Sequence, residues 1–228
     1  SLCPQYNEQI QGQLIDYARQ TGEKIDQGTF PRKFAAIANP LLPAEEPTVC
    51  PKEKIVLFVG RFTHSDKRID RLLRIWKQIE QKRSDWRLIL VGDGIERESL
   101  HRLAHRLNLQ RIEFAGYRQD VAPFYRRASF ICLTSSFEGF GMCLVEAQQY
   151  GCIPVAFDSY AAVHEIMQEG KSGILVPPYD LKRYTEALLS AFDDQDRQEQ
   201  LRRNSYASAK RYELAAIGEK WLQLFAGL

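Results

Sequence analysis

Long apolar runs and an excess of one charge are both missing from this sequence. No stretch reaches the roughly eighteen consecutive apolar residues of a transmembrane helix, so no membrane span is predicted. The 31 basic residues nearly balance the 29 acidic ones, which leaves a net charge of +2. Proteins that bind nucleic acid usually carry a basic stripe, so no nucleic-acid partner is predicted. Basic residues recur locally at helical spacing, which favours one solvated helix face: Arg68, Arg71, Arg74 and Lys77.

Recognisable metal and disulfide patterns are also missing. The five cysteines are odd in number and show no C-x-x-C spacing, and Cys132 and Cys143 lie inside apolar runs. Buried free thiols are therefore predicted, which suits a reducing cytoplasm. His101 and His105 are one helical turn apart, but no glutamate follows His101 as it does in metalloproteases. With no Asp-x-Asp after a predicted strand, we expect no metal site and no cofactor.

The chain does contain a regular alternation of strands and helices. Hydrophobic residues make up 44% and charged residues 26%, which is typical of a globular protein. Six short apolar runs that end near glycines or turns predict strands at 55–59, 86–91, 112–114, 130–133, 153–157 and 173–176. Helical spacing predicts helices at 69–79, 97–107, 121–127, 141–150, 161–168, 180–193, 196–211 and 213–226. This order predicts an α/β fold with a doubly wound, parallel, six-stranded Rossmann-like sheet.

Four segments are expected along the chain. Residues 5–22 read as an amphipathic helix within a first segment, 1–26. The five prolines of 27–53 predict an inter-domain connector, with one short strand in it from 34 to 39. Residues 54–195 then form the Rossmann-like domain, and 196–228 form C-terminal helices. Ligands of doubly wound sheets bind beyond the carboxyl ends of the strands, so the loops that follow the strands hold the candidate site.

The loop after the first strand offers two positive charges. Gly60 ends the apolar run, and Arg61 and Lys67 flank the loop that follows. An arginine fork and a lysine ammonium at this edge suit phosphate oxygens. The alternative is that both residues are solvated surface charges, and these residues alone do not decide between the two interpretations.

The loop after the fourth strand carries a glycine-rich turn between two carboxylates, Glu138 and Glu146. The turn lets the backbone approach a ligand, and the helix that follows points free N–H groups at it, which predicts a phosphate site. The carboxylates could hold sugar and ribose hydroxyls. Alternatively, Glu138 is a turn residue and Glu146 a first-turn helix charge.

A third glycine loop is a weaker candidate. Gly92-Asp93-Gly94 begins like a dinucleotide fingerprint, but Arg97 occupies the position of the third glycine. A helix start with Asp93 near the cap is the favoured interpretation, and a Rossmann oxidoreductase is disfavoured.

Taken together, the motifs resemble group 1 glycosyltransferases, which are retaining enzymes of the GT-B fold. The resemblance covers about residues 33–192 and rests on the order of Gly60-Arg61, Lys67, Leu90-Val-Gly-Asp-Gly94, Phe114-Ala-Gly-Tyr117, Glu138 to Glu146 as an E-x7-E motif, Gly151 to Val155 and Gly173 to Pro177. It implies that this chain is the C-terminal donor-binding half of the fold. A missing N-terminal acceptor domain would then contribute helix 5–22, and the last helix would cross back towards it.

The resemblance also implies roles for individual residues. Arg61 and Lys67 would neutralise the donor diphosphate, and Glu138 would contact the transferred sugar. Glu146 would hold the ribose. The remaining donor-binding positions are Gly60, the backbone amides of Phe140, Gly141 and Met142, and, around the base, Tyr117 and Arg118.

The implied activity is hexosyl transfer from a UDP- or GDP-sugar to a glycan or lipid-linked acceptor, in polysaccharide or lipopolysaccharide biosynthesis. The implied setting is the cytoplasm, with possible peripheral association with the inner face of the membrane through the missing half. This half alone is expected to be inactive. A non-catalytic nucleotide-sugar-binding or partner-binding module is the alternative, although such a module would be expected to lose charge at Arg61, Lys67 or Glu138.

Overall fold

A computed structural model of the chain describes residues 37–43, 51–168 and 170–226, together with Gln13, Asp16, Arg19 and Gln20. Most of the predicted helix at 5–22 and much of the connector lie outside these residues. The chain divides into two units, one of 44–210 and one that combines 1–43 with 211–228. The helix predicted at 196–211 therefore belongs to the same unit as the sheet.

The sheet has six strands, all parallel: β1 Glu53–Val59, β2 Arg87–Val91, β3 Ile112–Gly116, β4 Ala128–Leu133, β5 Ile153–Phe157 and β6 Ile174–Val176. Their order is β3-β2-β1-β4-β5-β6. This is the strand order of a Rossmann fold, so the predicted fold class is confirmed. Each strand lies within a few residues of the predicted run. All six residues of β4 are buried, as expected for a central strand covered on both faces.

Eight helices of the described chain follow the strands: α1 Ile69–Glu80, α2 Arg97–Arg106, α3 Ala122–Arg127, α4 Met142–Gln149, α5 Ala162–Met167, α6 Leu181–Asp193, α7 Gln195–Ala209 and α8 Leu214–Ala226. Helix α1 packs against α2 and α6, while α7 packs against α4 and α5. The two groups cover the two faces of the sheet, which is the doubly wound arrangement.

Local sequence explains where the later helices begin. The carboxylate of Asp180 accepts the N–H of Arg183 at 2.9 Å, and Asp194 accepts that of Arg197 at 2.9 Å. An aspartate N-cap satisfies one of the backbone donors left unpaired at a helix start. Both helices begin one residue after these caps.

In the smaller unit, Leu41 makes a single parallel bridge with Glu213, and its N–H donates to the carbonyl of Tyr212 at 2.7 Å. Residues 37–40 form no strand, so the described part of the predicted strand at 34–39 is wrong. None of the described helices has both the length and the apolar character needed to cross a bilayer.

Candidate functional site

The loops that follow β1 and β4 lie side by side at the carboxyl edge of the sheet. The N–H of Ser136 donates to the carbonyl of Asp66 at 2.7 Å, and the hydroxyl of Thr134 donates to that of Arg68 at 3.0 Å. Because β2 and β5 lie on opposite sides of the central pair of β1 and β4, the two loops flank the topological switch point of the sheet. Such a switch point is where doubly wound sheets bind their ligands.

Lys67 and Glu138 meet at this switch point as an ion pair. The Lys67 ammonium donates to both carboxylate oxygens of Glu138, at 2.6 Å to Oε1 and 2.8 Å to Oε2. The side chains are 18% and 7% exposed, so the pair is largely removed from water. The Ser135 hydroxyl donates to Oε1 at 2.7 Å. Gly60 lies beside them, since a Cβ built there would be 3.6 Å from Cε of Lys67.

The glycine-rich turn connects Glu138 to helix α4. Gly141 precedes the helix with a φ of +96°, and a Cβ added there would lie 2.7 Å from the hydroxyl of Tyr160. Glycine is required at this position because a side chain would meet both backbone strain and this clash. Phe140 is buried, and the amides of Gly141 and Met142 have no backbone acceptor among the described residues. They are the unpaired donors expected at a helix start.

Glu146 is the fifth residue of α4 and is partly buried, beyond the first turn. The interpretation of Glu146 as a first-turn charge is therefore wrong. Its Oε2 accepts the hydroxyl of Tyr125, from helix α3, at 2.9 Å. The charges of Glu138, Lys67 and Glu146 all contribute to the pKa of Cys143. Both carboxylates of the motif therefore lie near this short helix.

Arg61, Tyr117 and Arg118 lie on the surface of the same edge. All three are exposed, Tyr117 at 71%. The Arg118 guanidinium donates to the Tyr117 carbonyl at 3.4 Å. Because β3 is two strands away from β1, Tyr117 and Arg118 form an outer part of the candidate site, whereas Gly60, Lys67, Glu138 and Gly141 form its centre.

The glycines of the loop after β2 have a packing role. A Cβ on Gly92 would lie 1.9 Å from the carbonyl oxygen of Gly60, and one on Gly94 would lie 2.5 Å from that of Phe62. The backbones of the two loops therefore touch. The expectation that Asp93 caps the next helix is wrong, because Glu96 precedes α2 and the Asp93 carboxylate accepts the N–H of Gly94 instead.

The basic residues around α1 do not all face solvent. Arg71 donates to the carbonyl of Thr134 at 3.2 Å, and its guanidinium lies 4.3 Å from the ring centroid of Tyr179. Arg68 has a left-handed backbone, with a φ of 48°, and pairs with Asp70 at 2.9 and 3.0 Å. The single solvated face predicted for these residues is therefore wrong, because Arg71 ties α1 to the loop after β4.

The described cysteines are free thiols, and the two histidines of α2 lie at the surface. Cys132 and Cys152 are buried and free, and burial raises the pKa of each thiol to about 12. Cys143 is partly buried and free, and desolvation raises its pKa to about 12 as well. His101 and His105 are exposed on α2, with His101 stacked on Phe114. Within the described ranges, no group of three or more His, Cys, Asp or Glu side chains is arranged to hold a metal ion.

Two residues of the site escaped the sequence analysis: Ser135 fixes one oxygen of Glu138, and Tyr125 fixes one oxygen of Glu146. Ser135 is adjacent to the recognised motif and could have been suspected from that. Tyr125 is brought in by packing between elements that are distant in sequence, which the helical spacing of 121–127 does not reveal. The hydroxyl of Tyr160 lies beside Gly141.

Comparisons with known proteins agree with this architecture. Residues 45–208 match the family model described as glycosyl transferases group 1. An uncharacterized glycosyltransferase of Haemophilus influenzae is 30% identical over 189 residues, which are 82% of this chain and 53% of that protein. The lipopolysaccharide 1,6-galactosyltransferase of Escherichia coli K12 is 29% identical, over 73% of this chain and 48% of its own length. The structure of the pneumococcal O-GlcNAc transferase GtfA in complex with UDP and GlcNAc superposes with a TM-score of 0.76 at 20% identity, covering 85% of this chain and 40% of that one.

These matches cover most of this chain but only part of each relative. The chain spans about half the length of the curated relatives it matches. The family match nevertheless includes the whole sheet and every residue of the central site, from β1 to helix α7. The chain therefore belongs to the group 1 glycosyl transferases.

Proposed function

We propose that this chain binds the nucleotide-diphospho-sugar donor, a UDP- or GDP-sugar, of a retaining glycosyltransferase. The transferred hexosyl group would go to a glycan or lipid-linked acceptor in polysaccharide or lipopolysaccharide biosynthesis. The observation that carries the proposal is the Lys67–Glu138 pair, set beside the open N-terminus of α4 at the switch point of the sheet.

The diphosphate would lie between Lys67 and the start of α4. The Lys67 ammonium has three N–H donors and gives two to Glu138, so the third can reach a phosphate oxygen. The amides of Gly141 and Met142 add donors, and the helix dipole favours negative charge there. Arg61 is exposed at the rim of the same loop and can add a bidentate contact.

The rest of the donor would extend to either side of the diphosphate. Glu138, beside the phosphate site, would accept hydroxyls of the transferred sugar. Glu146, one helix turn further, would accept ribose hydroxyls, and Tyr117 and Arg118 would hold the base. The likeness to a transferase bound to UDP and GlcNAc supports the choice of a uridine nucleotide as the first ligand to test.

The chemistry we propose is transfer with retention, in which the acceptor attacks from the face that the nucleotide leaves. Its transition state resembles an oxocarbenium ion that separates from a diphosphate. Donors aimed at the leaving group stabilise the charge that develops there, and they need little rearrangement if they are already in place. Arg61, Lys67 and the start of α4 would supply this stabilisation.

A second domain would bind the acceptor. The matched relatives are about one and a half times as long as this chain, which leaves room for such a domain. We accordingly propose that the present chain binds the donor but does not transfer the sugar alone. Lipopolysaccharide assembly is suggested as the setting by the Escherichia coli relative.

Isothermal titration of the 228-residue chain with UDP, with GDP and with uridine tests the proposal. UDP is expected to bind and uridine to bind much more weakly, since the diphosphate provides the charge-assisted contacts. Arg61→Ala is expected to weaken UDP binding by about 1–3 kcal/mol, the range for a hydrogen bond to a charged group.

Arg74→Ala serves as the matched control, because Arg74 is also an exposed arginine but lies on α1. It should leave UDP affinity unchanged. Equal binding of uridine and UDP would show that the diphosphate is not recognised. No binding of UDP or GDP at all would remove the basis for a donor site.

A further inference from the structure

A buried hydrogen bond joins two helices beneath the candidate ribose site. Tyr125, on α3, is 1% exposed and donates its hydroxyl to Oε2 of Glu146, on α4, at 2.9 Å. The ring of Tyr125 stacks on that of Tyr150 with 6.0 Å between centroids. Because the tyrosine is buried and its ring is stacked, its hydrogen bond fixes the direction of the carboxylate.

The backbone around Tyr125 is held as firmly as its side chain. The ammonium of Lys52, just before β1, donates to the carbonyls of Tyr125 at 2.8 Å and Tyr150 at 2.6 Å. One cation therefore ties the end of α3 to the residue that follows α4. The two helices cannot slide past each other without breaking these bonds, so the distance from Tyr125 to Glu146 is set by three contacts.

The direction of the bond is also fixed. Burial raises the pKa of the Tyr125 phenol well above 10, and the neighbouring Cys143 and Glu146 add to the rise. The phenol therefore keeps its proton at neutral pH, and its hydroxyl donates to the Glu146 carboxylate.

We propose that Tyr125 is a positioning residue for donor recognition, which holds Glu146 so that its other oxygen, Oε1, accepts a ribose hydroxyl. This inference rests on the proposed function. A carboxylate held by one fixed donor loses little freedom when a ligand hydroxyl arrives, and such preorganisation increases affinity. Tyr125 touches neither sugar nor phosphate in this arrangement and acts only through Glu146.

The test separates the ribose from the rest of the nucleotide. The chain and its Tyr125→Phe variant are titrated with UDP and with 2′,3′-dideoxyuridine diphosphate, which lacks the ribose hydroxyls. The unchanged chain is expected to bind UDP about tenfold more tightly than the dideoxy ligand, as for a hydrogen bond to a charged group. Tyr125→Phe should lose most of this preference, while its affinity for the dideoxy ligand stays within about twofold.

Tyr184→Phe is the matched control, since Tyr184 is equally buried and its hydroxyl donates to the carbonyl of Val155, within β5. Both variants lose one buried hydroxyl and should be destabilised to a similar extent. Only Tyr125→Phe should lose the ribose preference. If Tyr125→Phe does not fold, Glu146→Gln, which changes a partly exposed side chain, must show the same loss.

Three results would overturn the inference in distinguishable ways. If Tyr125→Phe weakens both ligands equally, or neither, the tyrosine has a structural role only. If the unchanged chain binds both ligands equally, Glu146 does not contact the ribose, although the diphosphate site stands. If the unchanged chain binds neither UDP nor GDP, the proposed function fails and the inference fails with it.

Discussion

The Lys67–Glu138 pair makes a quantitative prediction about stability. Lys67→Met removes the ammonium and leaves a carboxylate that is 7% exposed, to which the Ser135 hydroxyl still donates. Removing one partner of a fully buried pair costs about 3–5 kcal/mol. Because Lys67 is 18% exposed and the Ser135 bond remains, we expect about 2–3 kcal/mol, or a fall in melting temperature of about 4–12 °C.

A thermal melt of four proteins measures this effect. Lys82→Met is the matched control, because Lys82 is an exposed lysine just after α1. The double variant Lys67→Met with Glu138→Gln removes the stranded charge and should recover at least half of the loss, since a neutral amide is less costly to bury than a carboxylate. The reasoning would be refuted if Lys67→Met melted with the Lys82 control, or if the double variant melted below Lys67→Met.

The other predictions concern backbone geometry and pH. Arg68→Gly should be about 1 kcal/mol more stable than Arg68→Ala in urea unfolding, since both lose the arginine but only glycine suits the left-handed backbone. Gly92→Ala should cost about 2–3 kcal/mol in the same assay, whereas Gly139→Ala, with no atom near its Cβ, should cost far less. The hydrogen bond from Arg127 holds the pKa of Glu53 below its usual value, so its stabilisation exists above about pH 4.5 and is lost on acidification. Glu53→Gln should therefore show a shallower fall in melting temperature between about pH 5 and 3.

Most of the fold was predictable from the sequence because its strands are covered on both faces. A short continuous apolar run such as that of β4, with segments of helical spacing before and after it, indicates a buried strand. The order of the strands in the sheet was beyond prediction from the residues, since spacing says nothing of which strands are neighbours. The position of Leu41 against Glu213 could not be predicted either, because a single bridge has no periodicity.

The candidate site was predictable only in part, for a related reason. Lys67, Glu138 and Gly141 follow strand ends, and a parallel sheet brings its strand ends to one edge. Their roles as partners were not predicted: the sequence assigns Lys67 to phosphate alone, yet it pairs with both oxygens of Glu138. Such pairing depends on whether side chains from the loops after β1 and β4 are long enough to meet, which the linear pattern of residues does not show.

The adjacency of β1 and β4 has a consequence for how the protein folds. Lys67 and Glu138 are 71 residues apart in the chain, and three strands (β2, β3 and β4) and three helices lie between them. A contact between residues this far apart costs loop-closure entropy before it gains any stabilisation, so pairings of this kind form more slowly than local contacts. A folding intermediate built from β1, β2 and β3 alone would hold the lysine without the carboxylate or the start of α4. Nucleotide binding would therefore report the completion of folding, and stopped-flow refolding in the presence of a fluorescent UDP analogue would follow the last step of the reaction.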